Sequence, residues 1–377
     1  MEIPYPEFTL TFILFAIYVL VVLDQLYYYW FVYYKIAFHK PFVWKKNKEA
    51  VSVVICAKNE YTNLKKYLPV VLNQKYPDFE VVVVNDASDD ETLELLEDFD
   101  REYSNLKIAN ITQNLNFFSG KKFALSLGIK SAKNEILLLT DADCLPASEN
   151  WIQKMVNPFT EKGVGIVLGV SPYNYEKGFL NALIRFDTLK VAMQYLSWSL
   201  KKKAYMGVGR NLAYQKSLFL KANGFIAHYK VSSGDDDLLI NRIATKSNTR
   251  IQIDPDSFTR SDAKANYNLW VRQKRRHLTT SKYYKPNFKF ILGKYGLSQL
   301  LFYSLLVFLL INNYSLLFVI GLFALRLFSQ IFILKKTMNQ LRECDLLLIS
   351  PILEITLLLN QLLFSLLNLI IKPNKWK

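Results

Sequence analysis

Among 377 residues there are only three cysteines, Cys56, Cys144 and Cys344, and three histidines, His39, His228 and His277. An odd, scattered set of cysteines builds no disulfide framework and fits a reducing compartment. Histidines so far apart from one another rule out zinc chemistry built on clustered His and Cys. Neither G-x-G-x-x-G nor G-x-x-x-x-G-K-S/T follows any strand-like run, which argues against a dinucleotide oxidoreductase or a P-loop ATPase. No internal repeat or low-complexity linker occurs, and a hydrophobic content of 51% excludes a disordered chain.

Positive charge and apolar runs are plentiful. Lys plus Arg number 47 against 32 Asp plus Glu, a net +15 that suits nucleic acid or an anionic membrane surface. The apolar runs decide for the membrane. Residues 8–23 carry no charge, and after Asp24 and Gln25 the chain resumes as an aromatic run to Tyr34. That is long enough to cross a bilayer. With no basic start and no small-residue cleavage site, it reads as a retained anchor. Lys35, Lys40, Lys45, Lys46 and Lys48 follow it, while Glu2 and Glu7 precede it, so the chain should emerge into the cytoplasm. Further apolar runs cover 297–311, 314–334 (interrupted by Arg326) and 346–371, the last containing Pro351, Glu354 and Asn360. Four crossings would put Lys372, Lys375 and Lys377 outside, against the positive-inside tendency; a re-entrant hairpin or a kinked interfacial element is the alternative for the last run. The expectation is a multi-pass protein of the cell (inner or plasma) membrane. Its divisions are an anchor at 1–44, a cytoplasmic domain at 45–294 with a basic membrane-proximal segment at 260–294, and a membrane region at 295–377. The basic excess sits beside the spans, so nucleic acid is not expected as a partner.

Within the central domain, the runs at 51–56, 80–85, 135–140 and 165–170 are apolar without alternation, as strands buried on both faces are. Helix-like stretches at 62–72, 91–99 and 119–131 lie between them, giving an α/β, Rossmann-like domain with a mostly parallel sheet. Ligands bind such sheets beyond the carboxyl ends of the strands. There the sequence places Ala57-Lys58-Asn59-Glu60, then Asp86 within Asn-Asp-Ala-Ser-Asp-Asp, then Asp141-Ala142-Asp143. Carboxylates at strand ends without a phosphate loop suit an enzyme that holds a diphosphate through Mg²⁺ or Mn²⁺. Carboxylates two apart in an extended segment would point the same way, so Asp141 and Asp143 can share a cation. Ser88 or Asp89 is expected to cap the helix after Asp86.

The ordered set VSVVICAKNE, NDASDD, TDADC, GDDD and QKRRH, over about residues 50–280, resembles family 2 glycosyltransferases of the GT-A fold. It is most similar to the membrane-bound group of hyaluronan, chitin and poly-N-acetylglucosamine synthases and ceramide glucosyltransferases. The resemblance implies that Asp86 contacts the nucleotide base and that Lys121, in Gly120-Lys121-Lys122, approaches the diphosphate. Asp143, with Asp141, would bind the metal. Ala57, Asn59 and Glu60 would line the donor site, and Gly209 and Asn211, in Gly207-Val208-Gly209-Arg210-Asn211, the acceptor region. In Gly234-Asp235-Asp236-Asp237 one of Asp235 and Asp236, by alignment Asp236, would be the catalytic base. Gln273 and Arg276 share a helix face, where Arg276 could bind diphosphate. His277 stands where the family has Trp, Ser126 where it has Asn, and Asn223 where it has Gly.

The reading is an inverting, metal-dependent transferase using a nucleotide sugar, a UDP-sugar favoured, on a lipid or lipid-linked acceptor. A processive synthase is the near rival, since the missing Trp bears on polymer binding. A nucleotidyltransferase and a catalytically inactive membrane scaffold are the readings from other classes.

Overall fold

The computed structural model describes residues 10–112, 121–231 and 233–370. Glu2, Glu7, Phe8, Gly120, Lys372, Lys375 and Lys377, on which some expectations rest, lie outside the described residues. Nine strands form in chain order: β1 (Val51–Ala57), β2 (Phe79–Asp86), β3 (Leu106–Ile111), β4 (Ile136–Asp141), β5 (Leu145–Pro146), β6 (Ile166–Leu168), β7 (Leu212–Gln215), β8 (Thr249–Ile251) and β9 (Thr259–Arg260). Seven make one sheet in the order β3-β2-β1-β4-β7-β6-β8, and β5 with β9 make a small second one. Only β7 in the large sheet runs antiparallel to its neighbours.

The unbroken apolar strands are explained by two cores. Val53, Ile55, Val81, Val83 and Leu138 face one, with Leu64, Leu68 and Trp151 from covering helices. Val54, Val82, Leu137 and Leu139 face the other, with Leu125, Ile129, Phe186 and Leu196. Both faces exclude water, so alternation disappears. The helix Lys122–Ser131 presses close to the sheet at Gly128, where a Cβ would lie 2.8 Å from both Val54 and Val84.

Four helices are long and apolar enough to cross a membrane: Leu10–Ala37, Pro286–Ile311, Leu316–Leu341 and Ser350–Ile370. The first contains a wider π turn over Tyr28–Tyr33. The second begins at Pro286, so the basic end of the expected central domain forms its first turns. The last is one continuous helix rather than a hairpin or kinked element; Pro351 sits in its first turn, where its missing N–H costs nothing. A buried polar cluster ties the membrane helices to the central domain. Arg326 meets Gln25 at 2.7 Å and Glu354 at 2.9 Å, and Glu354 also accepts from Lys190, Gln299 and Tyr303.

Candidate active site

The carboxyl ends of β1, β2 and β4 open on one edge of the sheet. Because β7 is reversed, the residues that precede it, 207–211, are delivered to that same edge.

The loops after β1 and β2 brace one another. Asn59, at φ 55°, donates its N–H to Ser88 Oγ at 3.0 Å, while its Oδ1 accepts from Asp89 N at 2.8 Å. Glu60 N donates to Thr92 Oγ1 at 3.0 Å. Ser88 and Asp89 therefore serve this brace and do not cap the helix Thr92–Glu102; its N-cap is Glu91, which makes no side-chain capping bond, while Asp90 just before it accepts from Thr92 N at 3.1 Å. Ala57 is buried at the end of β1. Burial raises the carboxyl pKa of half-buried Asp86, and Lys58 opposes the shift. Glu60 is raised by burial too, against the bond it accepts from Asn63.

At the end of β4 the two acids part company. Asp141 is the last strand residue, and the chain then turns, with Cys144 N donating to Asp141 O at 3.1 Å. The alternation argument for Asp143 thus does not apply, since a turn rather than an extended strand carries it. Asp141 is ion-paired with Lys121. Burial works to raise its pKa, but the Lys121 charge and hydrogen bond hold it below the usual range. Asp143 has no ion-pair partner among the described residues, and burial and the Asp141 charge push its pKa up. Arg210, quoted in the 207–211 motif but not singled out from it, faces both acids. It donates to Ser261 Oγ at 2.8 Å and lies over the Tyr173 ring at 4.2 Å.

The three consecutive acids divide their work. Asp236 caps the helix Asp237–Ile243, accepting from Asp237 N at 2.7 Å, and its other oxygen accepts from Gly209 N at 2.8 Å. Burial, then Asp235 and Asp237, push its pKa up to about 8. Asp237 accepts from Thr280 Oγ1 at 2.5 Å and the Tyr284 hydroxyl at 2.6 Å, which fixes the acidic loop to the segment beyond the basic helix. Asp235 faces Lys121 and Arg276 electrostatically. Gly234 makes this turn possible: its φ is +94°, and a Cβ there would lie 2.5 Å from Leu238. Lys122, which follows Lys121, is buried and donates to His228 O and Val231 O at 2.7 and 2.9 Å, so it holds the approach to the same loop.

The helix Tyr267–Leu278 supplies the last wall. Gln273 donates to the Tyr173 hydroxyl at 3.4 Å. Arg276 faces Asp235, Asp141 and Asp236, and burial lowers its pKa; its Nε is buried with no hydrogen-bond partner among the described residues. His277 is exposed, and desolvation by the neighbouring protein, then the charges of Lys274, Arg276 and Arg210, lower its imidazole pKa. The ring is neutral at physiological pH.

Asn211 is not where the acceptor-region expectation put it. It is wholly buried, accepting from Trp151 Nε1 at 3.1 Å and donating to Val170 O and Ser257 O at 2.8 and 2.7 Å. Both its amide hydrogens are taken and burial closes its oxygen to a ligand.

Among the described residues no group of three or more His, Cys, Asp and Glu could hold a metal alone. The donors that do converge, Asp141 and Asp143, fit a hard divalent cation completed by phosphate oxygens. The unsatisfied Arg276 Nε and the Lys121 ammonium are matched to an anion at the same place.

Residues 52–221 match the family model for glycosyl transferase family 2. Glycosyltransferase AglE of Haloferax volcanii is 31% identical over 192 residues, 49% of this chain and 58% of that protein. Probable glycosyltransferase YdaM of Bacillus subtilis is 26% identical over 250 residues, 64% of this chain and 58% of that protein. The chain therefore spans well under two thirds of either relative. A mannosyltransferase, PcManGT from Pyrobaculum calidifontis, solved with GDP-Man and Mn²⁺, superposes with a TM-score of 0.57 at 20% identity, covering 91% of this chain and 96% of that one. That likeness is one of fold.

Proposed function

We propose that this chain, a member of glycosyl transferase family 2 with a GT-A fold and four membrane-length helices, moves a sugar from a nucleotide sugar to a hydroxyl of a membrane lipid or lipid-linked glycan, with inversion. The observation that carries the reading is the meeting of cations and acids from separate segments in one place. Lys121 pairs with Asp141, and Arg276 faces Asp141 together with Asp235 and Asp236 of the acidic loop.

The nucleotide lies over the ends of β1 and β2, with Asp86 toward its base and Ala57, Asn59 and Glu60 lining the donor site. Lys121 and Arg276 bind the diphosphate oxygens and stabilise the charge that grows there as the anomeric bond breaks. Asp141 and Asp143 would hold Mg²⁺ or Mn²⁺, which supplies Lewis-acid stabilisation of the leaving diphosphate. Asp236 takes the proton of the acceptor hydroxyl as that oxygen attacks from the opposite face. Its two bonds from Gly209 N and Asp237 N fix the carboxylate while leaving lone pairs for this proton. Asp235 adds negative charge beside Asp236, which makes it a better base. His277, neutral and exposed, borders the acceptor side; lacking the broad face of a Trp, it supports a single transfer over polymer synthesis. The membrane helices support an acceptor held in the bilayer, and the cytoplasm as the side where the donor is met.

The test is release of nucleoside diphosphate by detergent-purified protein over a panel of UDP- and GDP-sugars, with and without lipid extract. Release that needs Mn²⁺ or Mg²⁺, increases with lipid and disappears in Asp236→Asn is expected. Release of inorganic diphosphate would instead make the protein a nucleotidyltransferase, and no release with any donor would remove the enzymatic reading.

A further inference from the structure

The helix Ser350–Ile370 is long and apolar enough to cross a membrane, yet its chief neighbours are not the other apolar helices. They are Phe179–Leu200 and Tyr267–Leu278 of the catalytic domain. The link before it is held by that domain, since Arg185 donates to both oxygens of Asp345 at 2.7 Å and pairs with Glu343. In its first turns Glu354 touches the membrane helices through Gln299, Tyr303 and Arg326, and the catalytic domain through Lys190. Beyond that point, among the described residues, the side-chain hydrogen bonds and ring contacts that reach another element go to Tyr267–Leu278. The Tyr267 hydroxyl bonds Asn360, the Trp270 and Phe364 rings lie 5.5 Å apart, and Arg275 donates to Asn368 at 2.9 Å. The helix thus leaves the membrane bundle and runs out beneath the catalytic domain.

Its other side is an apolar stripe. Ile352, Ile355, Leu359, Leu363, Leu366 and Ile370 are all exposed, spaced as one face of an α-helix.

We propose that Ser350–Ile370 does not cross the bilayer but lies in its surface on the catalytic side, with this stripe sunk among the lipid acyl chains. The lipid is the occupant for three reasons. The stripe continues the exposed apolar surface of Pro286–Ile311 and Leu316–Leu341, which meet it at Glu354. The helix it packs on and the segment that follows carry exposed Arg272, Lys282, Lys285 and Lys289, cations suited to anionic headgroups. A crossing helix would also drag its partner Tyr267–Leu278, with Arg272, Lys274, Arg275 and Arg276, into hydrocarbon, where each charge is costly. Three crossings, not four, then leave Lys372, Lys375 and Lys377 on the side of the catalytic domain, which removes the conflict with the positive-inside tendency. Since Tyr267–Leu278 turns Trp270 and Arg275 toward this helix and Gln273 and Arg276 toward the cleft, the site opens about one helix diameter, ~10 Å, above the bilayer surface.

Topology tests this without reference to the reaction. Reporters that work only on one side of the membrane are placed after Lys377 and, in a second chain, in the loop at 245–247. Both are expected on the same side, and opposite sides would overturn the proposal. Nitroxides at 359, 363, 366 and 370, in a chain whose native cysteines are replaced, then report depth in vesicles containing anionic lipid. Equal, shallow, oxygen-accessible positions are expected. A depth that changes by about 16 Å from 359 to 370, the rise of eleven helical residues, would mean a crossing. Labels shielded from oxygen would mean that protein, such as a second copy of the chain, covers the stripe; either result overturns the proposal.

Discussion

Lys121 and Asp141 form an ion pair at the floor of the cleft, with the lysine side chain only 18% exposed. Lys121 begins the helix Lys122–Ser131 and Asp141 ends β4, so the pair joins the side proposed to hold the diphosphate to the side proposed to hold the cation. In this arrangement the ammonium occupies the charge that a divalent cation would otherwise neutralise. Replacing Lys121 by Ala should therefore have opposite effects on two ligands. Mn²⁺ alone should bind more tightly, by about tenfold or more, a difference near 1.4 kcal/mol, while UDP should bind more weakly by a similar factor. Paramagnetic titration of Mn²⁺ with and without UDP reads both. Loss of both affinities together would show that Lys121 merely supports the fold of the site.

The carboxyl of Asp236 is raised to about 8 by burial and by Asp235 and Asp237, which has two consequences of opposite sign. A base must be deprotonated, so kcat/KM should climb with pH through an ascending limb whose midpoint lies within about one unit of 8. Stability should move the other way. The folded state holds this proton more tightly than the unfolded chain, so the contribution is complete below the ordinary carboxyl pKa and is lost as pH rises through about 8. Asp236→Asn should abolish turnover and flatten that decline in Tm between pH 6 and 9. A wild-type kcat/KM that is flat from pH 5 to 9 would remove Asp236 from the role of base.

The residues at the ends of β1, β2 and β4 were readable because each follows a run of apolar residues buried on both faces, a pattern that fixes where a strand stops. β3, β7 and β8 were not. β3 is an edge strand whose Lys107 and Asn110 are exposed, while β7 and β8 have four and three residues, too few for any periodicity to register. The reversal of β7 is a property of tertiary assembly, and it is what brings Gly209 and Arg210 to the site. Arg210 had a signal, a charged residue between motif positions, but nothing local distinguishes it from a solvated arginine; its meeting with Tyr173, Ser261 and the β4 acids is long-range. The membrane helices were legible as apolar length. Their relation to the catalytic domain was not, because it rests on side-chain pairs such as Lys190–Glu354 that are 164 residues apart.

Asn211 shows how a motif residue can be needed without touching a ligand. Its oxygen takes the indole N–H of Trp151, itself wholly buried, and its amide satisfies the carbonyls of Val170 and Ser257, so one side chain joins the helix Trp151–Val156 to the segments after β6 and β8. The fit is close, since a Cβ on Gly169 would lie 2.6 Å from this amide. Asn211→Ala strands a buried donor and two acceptors and leaves a void, a loss of roughly 3–5 kcal/mol in stability. Asn211→Asp keeps the acceptor for Trp151 but turns a carboxylate toward two carbonyl oxygens, so it should be no better. Thermal unfolding in detergent should show both variants melting well below the parent, with unchanged KM for donor and acceptor in whatever fraction remains folded. A variant that melts like the parent but has a raised acceptor KM would return Asn211 to the acceptor site.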